Sequence, residues 1–176
     1  MKADFRSPLF RASGFSLILL MAALLLSGCG FHLRGEAKLP YDSMYVQAAP
    51  TSLFATKLRR AISAGSQTKV ADNPKDAQAT LQILSEAPQK LILSLSSAGR
   101  VSEFRLLYRV SYRLTDSKGI ERIPTSEIVL QRDFAFNDAA VLSKESEEAL
   151  LYRDMENDAV QQLVRRLEAI KFQAAS

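Results

Sequence analysis

The chain carries one cysteine and one histidine, Cys29 and His32, close together near its N-terminus. A thiol beside an imidazole could form a nucleophile–base pair, since the thiolate is the attacking species. A lone Cys and a lone His cannot close a tetrahedral zinc site. The single thiol also excludes an internal disulfide. Glu145, Glu147 and Glu148 are close enough in sequence to be imagined as an acid–base pair. At the start of a helix, however, such residues are more simply solvated charges that favour the positive end of the dipole. The seven glycines are scattered and form no phosphate-cradling loop. No nucleophile, base or metal-ligand set emerges, so the reading is a protein that is not an enzyme and requires no cofactor or metal.

The residues before Cys29 give its thiol a different chemistry. Lys2, Arg6 and Arg11 form a basic segment diluted only by Asp4, and Phe15 to Leu26 is a run of 12 residues, apolar apart from Ser16. A membrane-spanning helix needs roughly 20 apolar residues, so this run is short for a span and suits a signal peptide. It ends in Leu26-Ser27-Gly28-Cys29, which is similar to the lipobox of bacterial lipoprotein processing. Small residues at 27 and 28 admit the peptidase, and the thiol takes a diacylglyceryl group. On this reading residues 1–28 are removed and Cys29 becomes an N-terminus bearing S-diacylglycerol and N-palmitoyl groups. An alkylated Cys29 cannot pair with His32 as a nucleophile. One acyl chain, at ~0.8 kcal/mol per buried methylene, holds a protein marginally, whereas two or more anchor it. In Gram-negative bacteria an Asp after the cysteine retains a lipoprotein at the inner membrane. Here that residue is Gly30, so the expected location is the inner leaflet of the outer membrane, on the periplasmic side. Cleavage also removes three basic and one acidic residue, leaving 20 Lys+Arg against 18 Asp+Glu and lowering the formal charge from +4 to +2. That balance gives no support to nucleic-acid binding.

Gly30 to Pro40 has no strand or helix period, and residues 29–40 read as a tether spanning at most ~40 Å. The remaining elements are expected in one domain over 41–172, with 173–176 a short tail. Met44, Val46 and Ala48 alternate with polar neighbours as in a strand. Phe54, Leu58 and Ile62 mark a helix face after the cap-forming Pro50-Thr51-Ser52, ending near Gly65. Leu81 to Ile83 and Leu91 to Leu95 are strand-like. Pro88 between them implies either two strands or one long strand with a bulge or free edge. Ser96 to Arg100 is a turn. Phe104, Leu106, Tyr108, Val110, Tyr112 and Leu114 then alternate with Arg105, Leu107, Arg109, Ser111 and Arg113, which predicts a strand with a core face and a basic face. Asp116-Ser117-Lys118-Gly119 is a hairpin turn signal. Thr125 to Phe136 follows as a fourth strand, with Ile128, Leu130, Phe134 and Phe136 in phase. Leu151, Met155, Ala159, Leu163, Leu167 and Ile170 form the stripe of a long final helix, joined by Val160 and Val164, with Ser143 as its expected cap. The fold class is α+β, a two-layer sandwich of a mostly antiparallel four-stranded sheet with two helices packed on one face.

Surfaces therefore carry the functional question. Arg105, Arg109 and Arg113 make a basic stripe that is either a solvated outer face or a surface for an anionic partner. Arg100 at a turn and Lys144 at the entry of the last helix are isolated cations at element ends, where a phosphate can be gripped.

Cys29-Gly30-Phe31-His32-Leu33-Arg34-Gly35 resembles the opening of mature lipoproteins of the LPS-assembly LptE (RlpB) family. Asp154-Met155 and Ala159-Val160-Gln161-Gln162-Leu163-Val164-Arg165-Arg166-Leu167 resemble that family's C-terminal helix. The resemblance implies a compact α/β sandwich seated as a plug inside the outer-membrane β-barrel LptD, where it binds lipopolysaccharide and supports its assembly at the cell surface and the assembly of the barrel. It also implies lipopolysaccharide binding by basic residues at a strand-hairpin tip and near the start of the last helix. Lys144 falls on the second position. Ser97 falls on the first, with Arg100 three residues along as the substitute candidate. The arginine-bearing face becomes a candidate for barrel contact. The alternative is a free-standing, periplasm-facing lipoprotein that binds a small ligand or a cell-wall component.

Overall fold

The computed structural model describes residues 37–170. The signal peptide, Cys29, His32 and the 173–176 tail lie outside the described residues. The elements run β1 (Ser43–Gln47), α1 (Leu53–Gly65), β2 (Lys69–Ala71), a 3-10 turn (Pro74–Asp76), β3 (Ala79–Leu95), β4 (Val101–Asp116), β5 (Glu121–Ala135), a second 3-10 turn (Asp138–Ala140) and α2 (Val141–Glu168).

The class is α+β and the sheet is mostly antiparallel, as the patterning implies, but it has five strands and not four, in the order β2-β1-β3-β4-β5, and a short parallel part makes it mixed. β1 pairs in parallel with both β2 and β3, while β3–β4 and β4–β5 are antiparallel. The added strand, β2, is too short to show a period, and its pairing with β1 defines it. β3 is one continuous strand through Pro88, which stands opposite Tyr108, with register shifts flanking Leu84 and Leu93. β1 accompanies β3 only from Ala79 to Gln82, so the proline falls where β3 has no neighbour on its β1 side. Edge positions of this kind tolerate a residue without an N–H.

Both helices bury their apolar faces in one cluster against the sheet. Phe54, Leu58 and Ile62 of α1 and Met155, Ala159, Leu163 and Leu167 of α2 meet Met44, Val46, Leu81, Leu106, Val110, Tyr112 and Leu114. The Ser52 hydroxyl caps α1 by accepting from Ala55 N at 2.8 Å. Ser143 does not cap α2. The helix starts earlier, at Val141, with Ala140 at the cap position, and the Ser143 hydroxyl instead donates to Ala140 O. No acidic residue lies in the first turn of α2, so Glu145, Glu147 and Glu148 sit beyond the reach expected of them at the dipole.

The topology separates two ends of the molecule. Ala37 bridges to Ser66 beside the C-terminus of α1, and Ala79 stands opposite Asp116, so chain entry, β2 and the β4–β5 turn share one end. The β3–β4 turn occupies the other. Phe136 N donates to Ser102 O there, which brings the start of α2 to the same place. At ~3.3 Å per residue, the 17 residues of β3 separate these ends by roughly 55 Å.

Candidate functional site

The arginine stripe lies on the sheet face away from the helices, and two of its members are matched by carboxylates on β5. Arg105 donates to both oxygens of Asp133, at 2.7 and 2.8 Å, and Arg109 reaches Glu127 at 3.5 Å. Asp133 stands directly opposite Arg105 in the β4–β5 register, whereas Arg109 faces Val129 and reaches Glu127 diagonally, two residues along β5. The hydrogen bond from Arg105 holds the Asp133 carboxyl below its ordinary value, and the same contact raises the Arg105 guanidinium. Arg113 donates to the Gln82 side chain on β3.

Arg100 and Lys144 are both at the β3–β4 turn end. Arg100 follows Gly99, whose φ of 73° suits the tight turn closed by Ser96 N to Arg100 O at 2.7 Å. Its guanidinium is 4.0 Å from Asp138, in the turn that leads into α2, and its side chain is 73% exposed. Lys144, one turn into α2, pairs with Glu147 at 2.7 Å. The same end exposes Leu91, Ile92, Leu93, Leu95 and Val141, along with Leu142 at 81%. Cations and unburied apolar side chains therefore occur together where the sheet outruns its core.

A second feature was not visible in the sequence. Lys90 Nζ sits 4.2 Å from the centroid of the Phe104 ring, 5.8 Å from Phe134 and 5.9 Å from Phe136, and also pairs with Glu148 of α2. Only the alternation of the phenylalanines was legible, and their convergence on a lysine is tertiary. Next to this cluster, a groove of about 840 Å³ runs between the start of α1, the middle of α2 and the helix-facing side of β3 and β4. Lys57 and Glu156 pair across it at 2.5 Å. Tyr152 on its wall donates to Gln89 O at 2.7 Å. The floor includes Tyr108, which is only 7% exposed and whose hydroxyl has no hydrogen-bond partner among the described residues. Burial, and then the charges of Glu86 and Glu156, push that hydroxyl well above the usual tyrosine range, so it stays a donor. Arg153 on the opposite wall has no ion-pair partner among the described residues.

Among the described residues no group of His, Cys, Asp and Glu is spaced to hold a metal, and no helix is long and apolar enough to cross a membrane. The architecture is that of a two-layer α+β domain, with two helices packed on one face of a five-stranded sheet. The chain belongs to the LptE family, described as lipopolysaccharide-assembly, whose model matches residues 41–167. That family comprises lipopolysaccharide-assembly lipoproteins, not enzymes. The chain is 28% identical over 159 residues to the LPS-assembly lipoprotein LptE of Pectobacterium atrosepticum, covering 89% of this chain and 85% of that protein. It is similar to a lipoprotein B of Nitrosomonas europaea solved by solution NMR, at 42% identity and a TM-score of 0.70, covering 80% of this chain and 91% of the other. The rare lipoprotein B of Shewanella oneidensis shares the fold at 21% identity and a TM-score of 0.63, covering 71% of this chain and 92% of the other.

Proposed function

We propose that the chain is a plug-type partner of an LptD β-barrel that binds lipopolysaccharide and supports its assembly at the outer-membrane surface, and the assembly of the barrel. In this reading residues 1–28 are removed as a signal peptide. Cys29 carries the lipid in the inner leaflet, on the periplasmic side, and residues 29–40 tether a domain spanning 41–172. The observation that carries the reading is the pairing of Arg100 and Lys144 with exposed leucines at one end of the fold. An anionic amphiphile needs that combination. Its phosphates take charge-assisted hydrogen bonds from the cations, and its acyl chains cover apolar surface. Asp138 and Glu147 hold these cations through exposed ion pairs that contribute little, so a phosphate displaces them readily.

Ala37 bridges to Ser66 at the end of the fold opposite the β3–β4 turn, so the chain enters the domain away from Arg100 and Lys144. The outer sheet face, with Arg105 and Arg109 matched by Asp133 and Glu127, suits the polar lumen wall of a barrel.

The test is lipopolysaccharide binding by the purified chain with Lys144 altered. Lys144→Ala weakens binding about tenfold, the scale of one charged hydrogen bond, and Lys144→Asp weakens it further by placing an anion beside a phosphate. Equal binding by both variants and the parent removes Lys144 from the site.

A further inference from the structure

We infer that Arg132 and Arg166 lock the outer edge of β5, and that without them this edge pairs with β5 of a second copy of the chain. β5 is the last strand in the sheet order and pairs with β4 alone. Phe136 N donates to Ser102 O, which makes Ser102 and Phe136 a hydrogen-bonded pair of the antiparallel ladder. The register runs unbroken from Ala135 to Ser126, so alternation turns the N–H and C=O of Glu127, Val129, Gln131 and Asp133 away from β4. A row of main-chain groups facing outward in this way is a template for a further strand. The other edges are poorer templates. β2 has three residues, and the bare stretch of β3 carries Pro88 and register shifts.

Two guanidiniums occupy the β5 row. Arg166 of α2 donates to Glu127 O at 3.0 Å and to the buried Tyr112 hydroxyl at 2.8 Å. Arg132 donates to Gln131 O at 2.9 Å and to Asp158 of α2 at 2.7 Å. Each cation is therefore held at the edge by a second partner, a tyrosine of the core in one case and a helix carboxylate in the other. The two carbonyls they take lie on either side of Val129. An incoming strand has to displace both cations, because they fill the space beside the edge as well as its acceptors. The edge beneath is self-complementary. Antiparallel pairing about a twofold axis at Val129 sets Glu127 opposite Gln131, Ser126 opposite Arg132 and Thr125 opposite Asp133. No like charges meet in that register, and the exposed Val129 side chain meets its own copy.

The experiment places a cysteine at Val129 in the full chain, purified with detergent in excess over protein, and measures disulfide-linked dimer under mild oxidation. In a hydrogen-bonded antiparallel pair the two Cα atoms at this position are about 5.5 Å apart, within disulfide reach. With both arginines in place the expected yield is background. Arg132→Ala combined with Arg166→Ala raises it about tenfold, the scale of two recovered main-chain hydrogen bonds. A cysteine at the exposed Thr51 reports association that does not use β5, and its yield stays at background in both forms. Loss of the Tyr112 contact also lowers the melting temperature, so Ile62→Val, a core truncation in α1, serves as a destabilised control with both arginines intact, and it too leaves the Val129 yield at background. Arg132→Ala alone, which spares Tyr112, gives an intermediate rise. An unchanged Val129 yield in the double variant, an equal rise at Thr51, or an equal rise with Ile62→Val overturns the lock.

Discussion

Lys90 is expected to latch the first half of α2 to the sheet, and replacing it with Met isolates that role. Met keeps most of the apolar stem and removes the ammonium. Two interactions are lost. The first is the contact with the Phe104 ring at 4.2 Å, for which about 0.5–1 kcal/mol is the appropriate range at a partly exposed site. The second is the pair with Glu148, whose two side chains are 34% and 22% exposed, so that after screening it contributes about 0.5 kcal/mol. The sum is about 1–1.5 kcal/mol, which lowers the melting temperature of a domain this size by roughly 3–6 °C. The loss should also be local. The continuous buried stripe of α2 begins only at Met155, and residues before it rest on Lys90–Glu148, Tyr152 to Gln89 O and the half-buried Leu151. Hydrogen exchange should therefore accelerate over Val141 to Tyr152 before the helix opens from Met155 onward. A double-mutant cycle with Phe104→Leu should return a coupling of about 0.5 kcal/mol or more. Unchanged stability, additive single mutants and unchanged protection in the first half of α2 would refute the latch.

Leu163, fully buried between α2 and the sheet, should cost about 3 kcal/mol on truncation to Ala, read as a lower urea midpoint with an unchanged slope. Asp116 closes the β4–β5 turn. Desolvation raises its carboxyl, but acceptance from Ile120 N, Arg122 and Lys118 N outweighs this and holds it below the ordinary value. A depressed carboxylate stabilises the fold above its unfolded pKa and loses that contribution as pH falls through the folded one. Asp116→Asn should therefore flatten the acid limb of the stability curve, and NMR titration should find the Asp116 midpoint under that of a model peptide. In lipopolysaccharide binding, Lys144→Asp should rank below Lys144→Ala, and raised salt should narrow the gap between them.

The elements carrying a long period were legible in the sequence. β4 alternates from Phe104 to Leu114, α1 repeats Phe54, Leu58 and Ile62, and α2 carries its stripe from Leu151 to Leu167, so patterning specified which face each buries; Leu107, on the other face of β4, is buried as well. β2 was not legible, because Lys69-Val70-Ala71 has no period and becomes a strand through pairing with β1. That parallel pairing also made the sheet mixed, which local patterning does not encode. The start of α2 was displaced because Ser143 carries the chemistry of a cap, whereas the preceding 3-10 turn, held by Asn137, delivers the chain into the helix earlier. Arg100 and Lys144 were identifiable as cations at element ends, and the fold brings them to one end of the molecule. Lys90 was not separable from its neighbours, because it matters through contacts with Phe104 of β4 and Glu148 of α2 that lie far apart in sequence.

The central claim, a lipid-anchored plug within a β-barrel, is tested most directly by purifying the tagged full chain from outer membranes in mild detergent. The expected result is recovery together with an LptD-type barrel in a complex that survives gel filtration. Recovery of the chain alone, fully folded and lipidated at Cys29, would contradict it and favour a free-standing lipoprotein that binds a small ligand or cell-wall component.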